Sequence, residues 1–177
     1  MPGKNAQACS AYRSALEMEE KGKAFYEKAA GATKNPVGQK MFQMFAEDEG
    51  VHHERIQKIF DALSRGKEIV NQCAVLKLRH GDLHRMFRDL AREHAKTIKP
   101  ETSDLEALEI GIDLELHSIS FYEGLRRESR TGEERAFLTQ MIEEEKSHHT
   151  LFSDMKLYLT DTSAWYIEKE RHGMDGA

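Results

Sequence analysis

Residues 44–56 read MFAEDEGVHHERI, and residues 141–152 read MIEEEKSHHTLF. Each carries a Glu-x-x-His step, Glu49 with His52 and Glu145 with His148, and the two steps stand 96 positions apart. Upstream of each lies a second matching pair. Glu19 and Tyr26 precede the first step, Glu115 and Tyr122 the second, again 96 positions apart. One Glu per helix on two helices, with Glu-x-x-His on two others, is the ligand set with which a helical bundle holds two metal ions in its core.

The flanking sequence supplies the helices. Helix A is expected over about residues 10–30. Helix B, over 36–64, is opened by Asn35 as cap and Pro36 in the first turn. Helix C, over 103–129, is opened by Ser103 with Glu106, and helix D, over 131–160, by Thr131 with Glu134, both Ser/Thr-x-x-Glu boxes. The A–B and C–D links are short, so each pair forms an antiparallel hairpin. The 65–102 link is long enough to run from one end of a bundle to the other. The expected fold is therefore all-α: a ferritin-like four-helix bundle of two antiparallel hairpins joined by a long crossover. The whole chain, 1–177, reads as one domain. The crossover is expected to hold a helix near 82–95, and the tail, 161–177, a short helix whose Trp165 docks on the bundle or on a second subunit.

Helical geometry decides where the glutamates point. At about 100° per residue, Ala15, Leu16, Gly22, Tyr26 and Ala30 fall within about 60° of Glu19, whereas Glu17 and Glu20 fall well outside that arc. Phe42, Phe45, Ala46, Ile56 and Phe60 surround Glu49 in the same way. So do Leu108, Gly111, Ile112, Ile119 and Tyr122 around Glu115, and Leu138, Met141, Ile142 and Phe152 around Glu145. Four carboxylates at the centres of four apolar faces cannot stay uncompensated, because a buried unpaired charge costs on the order of several kcal/mol. Two divalent cations would cancel them, with His52 and His148 completing the ligand shells. Carboxylate and imidazole together suit iron or manganese, with zinc as a further alternative.

Other residues carry less. His53 and His149 each follow a proposed ligand and read as alternative ligands or as edge-of-core histidines. Tyr26 and Tyr122 can hydrogen-bond a ligand carboxylate or simply fill the core. Gly22 and Ser118 are repeat-equivalent small residues that leave room beside the metals or allow close packing. His80, His84 and His94 read as part of a solvated crossover helix, and His172 lies in the tail. Glu133 and Glu134 read as a cap region, Glu143 and Glu144 as a solvated face.

Composition bounds the rest. A charged fraction of 32% with only 3 prolines in 177 residues suits long amphipathic helices. A net charge of −5 makes nucleic acid an unsuited partner, and no apolar run approaches a membrane span. Cys9 and Cys73 match neither a disulfide framework nor a metal knuckle, and the N-terminus lacks an apolar signal core. A cytoplasmic setting is expected.

Residues 15–30, ALEMEEKGKAFYEKAA, and 113–125, DLELHSISFYEGL, together with the two stretches quoted above, resemble the rubrerythrin-like branch of the ferritin-like superfamily. The resemblance covers all four bundle helices. It implies a non-haem centre of two iron ions, with Glu19 and His52 on one metal, Glu115 and His148 on the other, and Glu49 and Glu145 bridging. Tyr26 and Tyr122 match the tyrosines near such centres. No catalytic residue distinct from the metal ligands is implied. The implied activity is an oxidoreductase's: reduction of hydrogen peroxide or dioxygen, as in oxidative-stress chemistry, with electrons from a separate donor protein such as a rubredoxin. A homodimer is the implied assembly. Two departures stand out. The chain carries no four-cysteine rubredoxin-like segment, and Ser118 stands where rubrerythrins proper carry an extra ligand Glu. Ferrous-iron oxidation or handling is the alternative reading, and a metal-stabilised scaffold or sensor the non-enzymatic one.

Overall fold

The computed structural model describes residues 3–65, 102–129 and 131–174, and among them it is built of helices without a strand. The helices are α1 (Gly3–Ala32), α2 (Pro36–Ser64), α3 (Thr102–Glu128), α4 (Gly132–Thr160) and α5 (Thr162–Met174). The connection between α2 and α3, with the expected crossover helix, Cys73, His80, His84 and His94, lies outside the described residues.

Local chemistry explains most of the helix ends. Asn35 opens α2: its side-chain oxygen accepts from the N–H groups of Val37 at 2.9 Å and Gly38 at 3.3 Å. Pro36, which has no N–H to lose, takes the first turn. Thr131 opens α4 by accepting from the Glu134 N–H at 3.1 Å. Asp161 closes α4 and at once opens α5, its carboxylate accepting from the Ala164 N–H at 2.9 Å. Two expectations need correction. Helix α1 begins at Gly3, upstream of Ser10, because residues 4–9 contain no helix breaker. Helix α3 begins at Thr102, so Ser103 lies inside its first turn and is not the cap. The acidic side chain of that turn is Asp104, whose carboxylate accepts from the Thr33 hydroxyl at the end of α1.

Cross-bundle contacts define the topology. Tyr122 of α3 reaches Glu19 of α1, and Tyr26 of α1 reaches Glu115 of α3, so these two helices run antiparallel. His52 of α2 meets Glu145 of α4, and Glu49 meets His148, so that pair is antiparallel as well. Short loops make α1 antiparallel to α2 and α3 antiparallel to α4. It follows that α2 and α3 are parallel. The end of α2 and the start of α3 then lie at opposite ends of the bundle, about 40 Å apart for helices of this length. This is the ferritin-like arrangement that the sequence predicts.

The core is split in two. One apolar cluster gathers Tyr26, Val37, Met41, Phe42, Phe45, Leu108, Phe152, Met155 and Trp165. The other gathers Tyr12, Ala15, Ile56, Ile59, Tyr122, Leu138, Met141 and Ile142. Between them lies the polar layer described below. Ile112 and Ile119 pack only at the margins, and Ile110 and Leu116 face outward with 48% exposure each. The α1–α2 face of Tyr26 and Phe42 meets α4 through Phe152, which also closes on Gly111: a Cβ there would stand 2.9 Å from the Phe152 ring.

Helix α5 belongs to this core. Trp165 is buried and packs edge-on against Tyr158, with ring centroids 5.3 Å apart, while Lys169 pairs with Asp154 at 2.7 Å. The tail tryptophan therefore docks on its own bundle. Trp165→Ala is expected to cost roughly 3–5 kcal/mol of stability. Thermal melts check this.

Candidate metal centre

Six side chains enter the middle layer from four helices. α1 brings Glu19, α2 brings Glu49 and His52, α3 brings Glu115, and α4 brings Glu145 and His148. They are between 0% and 5% exposed. Each comes from the centre of an apolar stripe, so the packing that buries the stripe also buries the polar group. Glu17 and Glu20, off that stripe, are exposed.

The six side chains form two overlapping groups, Glu19, Glu49, His52 and Glu145 on one side and Glu49, Glu115, Glu145 and His148 on the other. Within each group one ligand atom per residue lies within 4.8 Å of all the others. Glu49 and Glu145 are common to both groups. His52 turns Nδ1 toward Glu19 Oε2 at 3.3 Å and Glu145 Oε1 at 3.2 Å. His148 turns Nδ1 toward Glu115 Oε1 and Glu145 Oε2, both at 3.7 Å, and toward Glu49 Oε1 at 3.8 Å. The two imidazoles lie nearly parallel, 5.7 Å apart.

The tyrosines hold the carboxylates across the hairpins. Tyr26 donates to Glu115 Oε1 at 2.5 Å, and Tyr122 donates to Glu19 Oε1. Each therefore serves the glutamate of the opposite hairpin, not the one on its own helix. Burial, reinforced by Glu115 for Tyr26 and by Glu19 for Tyr122, pushes both phenols well above their usual range, so both remain donors. Among the described residues the second oxygens, Glu19 Oε2 and Glu115 Oε2, have no hydrogen-bond partner, nor has either oxygen of Glu145. Buried acceptors left this way call for a cation.

Proton affinities show how crowded the charges are. Burial pushes Glu115 up to about 8, with Glu145 adding to the rise and His148 opposing it. Burial, Glu19 and Glu145 hold Glu49 well above the ordinary carboxylate range. Burial works against ionised Glu145 too, yet His52 and His148 together hold it well below that range. Burial would lower both imidazoles, but Glu145 and neighbouring carboxylates raise His52, and Glu115 and Asp48 raise His148. The raised values of Glu49, Glu115 and both imidazoles favour their protonated forms, which offsets part of the crowding of negative charge.

Three residues of this site are not apparent from helical faces alone. Asp48 Oδ2 lies 3.4 Å from His148 Nε2. Glu144 Oε2 lies 3.2 Å from His52 Nε2 and also pairs with Arg55 Nη1 at 2.5 Å. Glu144 is therefore no member of a solvated face: its side chain is 16% exposed and backs an imidazole. Burial alone would raise its carboxyl, but His52, Gln140 and Arg55 lower it overall. The signal was present in the repeat, since Asp48 and Glu144 are acidic and 96 positions apart. Carboxylates behind a histidine orient the ring and fix which nitrogen faces inward. His53 and His149 are half-buried and join neither group. Gly22 sits against the centre, where a Cβ would lie 3.4 Å from Glu49 Oε2, and Ser118 is half-buried.

A ferritin-like bundle whose middle layer is built from carboxylates and imidazoles belongs to the metal-binding class of such bundles. The family model for rubrerythrin matches residues 12–156, and the chain belongs to the rubrerythrin family. No curated protein and no solved structure matches it. Among the described residues no helix is long and apolar enough to cross a membrane.

Proposed function

We propose that the protein is a non-haem di-iron oxidoreductase that reduces hydrogen peroxide or dioxygen, with a separate electron-donor protein restoring the ferrous state. The observation that carries this reading is the pair of buried ligand groups sharing Glu49 and Glu145. Two groups with two common carboxylates would hold two cations, with Glu49 and Glu145 available to both. The donor set of four carboxylates and two imidazoles suits iron, with manganese or zinc as substitutes. Glu19 and His52 would complete one position, Glu115 and His148 the other. Bound as a ferrous pair, the metals would supply two electrons to the oxidant.

The chain's own residues supply the setting. Tyr26 and Tyr122 each hold a proton against one terminal carboxylate and fix that carboxylate's orientation. Phe45, Phe152 and Tyr26 close one end of the layer, and Leu138, Met141 and Ile142 close the other. Water is thereby kept from a site whose chemistry needs control of protons. Ser118 supplies no carboxylate, so the six residues above form the whole proposed ligand set.

Anaerobic loading with ferrous iron, followed by a pulse of peroxide, tests the reading. Two irons per chain and loss of two electrons in one fast phase are expected. Slow oxidation in a protein shown to hold two irons would overturn the peroxide reading. Faster reaction with dioxygen, coupled to release of ferric iron, would favour the ferroxidase alternative. Stoichiometric metal that is redox-inert would favour the scaffold or sensor. Gel filtration at twice the chain mass is the expected result for a homodimer.

A further inference from the structure

The repeat extends one residue beyond the six ligand candidates, and there its symmetry breaks. Asp48 backs His148 and Glu144 backs His52, each reaching the Nε2 atom from the opposite hairpin. Behind His52, however, Glu144 Oε2 also receives the guanidinium of Arg55 at 2.5 Å, and Arg55 is itself buried. The residue 96 positions after Arg55 is Leu151, which is buried and apolar. Asp48 therefore has no such cation. It is fully buried, its Oδ1 has no hydrogen-bond partner, and His148 is its sole ion-pair partner among the described residues.

The consequence follows from charge and hydrogen bonding. A carboxylate that accepts from the Nε2–H of an imidazole makes Nδ1 a better donor to a metal, and losing such a partner costs about 10–100-fold in metal affinity. At His148 that carboxylate is undivided and lies in a water-poor interior. At His52 the corresponding oxygen, Glu144 Oε2, is taken by the guanidinium of Arg55, whose positive charge offsets that of Glu144, and His52 Nε2, 3.2 Å away, makes no hydrogen bond among the described residues. Partial exposure of Glu144 screens what remains.

We propose that the two metal positions are unequal: the one around Glu115 and His148 fills first and binds a divalent cation at least about tenfold more tightly. The position around Glu19 and His52 fills second, and Arg55 is the positioning residue that sets the order. This rests on the dinuclear reading above.

Titration of the metal-free, full-length protein with Co(II) under anaerobic conditions tests the proposal. Two calorimetric phases of one ion each, separated at least tenfold, are expected. In spectra of 15N-histidine-labelled protein titrated with Zn(II), the His148 resonances should shift at the first equivalent and those of His52 at the second. Arg55→Met should tighten the second phase and narrow the gap, Arg55→Lys should restore the wild-type split, and Asp48→Asn should loosen the first phase. If Arg55→Met does not fold, Glu144→Gln serves instead: with the guanidinium left alone behind His52, the second phase should loosen while the first stays in place. A purely structural Arg55 would instead loosen both phases together when replaced by Met. Two equivalent ions in one phase, or His52 shifting first, would overturn the inference and leave the dinuclear reading standing. Fewer than two ions bound by the wild type would overturn that reading itself.

Discussion

Two equivalents of ferrous iron, added without oxygen, are expected to raise the thermal unfolding midpoint by about 8–16 °C at neutral pH, and chelation should reverse the gain. Two ions, each present at about thirty times its dissociation constant, together stabilise the folded state by about 4 kcal/mol, and in a chain of this size each kcal/mol moves the midpoint by about 2–4 °C. The gain should also grow with pH. In the metal-free protein Glu115 and Glu49 have raised folded-state pKa values. Their contribution to stability is fully present below the ordinary 4.5 and is lost as pH rises, for Glu115 through about 8. His52 and His148 are raised as well, so their contribution is lost on the alkaline side too. Glu145 and Glu144 have the opposite sign: their lowered values give stability that is present above 4.5 and lost on strong acidification. The metal-free protein should therefore weaken between about pH 5 and 8. The metal-bound protein should strengthen over the same range, because its ligands must be deprotonated to bind. Melts at three pH values, with and without iron, measure both slopes. Equal gains at every pH would refute the assignment of these groups as ligands.

The second large effect separates two glutamates that the repeat makes equivalent. Glu49→Met is expected to leave the metal-free protein as stable as wild type, or more stable by about 1–4 kcal/mol, because it replaces a buried carboxyl with an apolar chain of similar volume. Glu145→Met is expected to destabilise the same metal-free protein by about 3–5 kcal/mol. Glu145 is the carboxylate that both His52 and His148 hold ionised, and its removal leaves their positive charge uncompensated. Both variants lose a carboxylate common to the two ligand groups, so both should bind fewer than two irons and lose most of the metal-dependent thermal gain. Chemical denaturation of the metal-free variants and metal analysis of the loaded ones check the two halves. Equal destabilisation by both substitutions would show that the metal-free charges are distributed differently.

Much of this was legible in the residues because helical periodicity is a local code. The inward direction of Glu19, Glu49, Glu115 and Glu145 follows from which neighbours are apolar, and the structure buries all four. The Asn35–Pro36 and Thr131 helix starts likewise depend on bonds that span only a few residues. The Ser103 start is one residue or more late, because Thr102 already lies inside α3 and a Ser/Thr-x-x-Glu pattern does not by itself fix the register of a helix start. The start of α1 was misjudged for a related reason: helix-compatible residues upstream of Ser10 carry no stop signal.

By itself, then, the sequence determined the element types, the two-hairpin plan with its long link and the six residues that meet at the centre, since each of these follows from local periodicity and from the repeat. Pairing across the bundle was settled only by the tertiary structure. Nothing within α1 says that Tyr26 will hold Glu115 while Tyr122 holds Glu19. Nor does anything within α4 say that Glu144, which looks like one acid in an exposed run, will lie between His52 and Arg55 of α2. Such partners lie about 90–100 residues apart along the chain. They meet only when the hairpins pack, because a helix specifies which face a side chain occupies and leaves the opposing side chain to the helix that covers it.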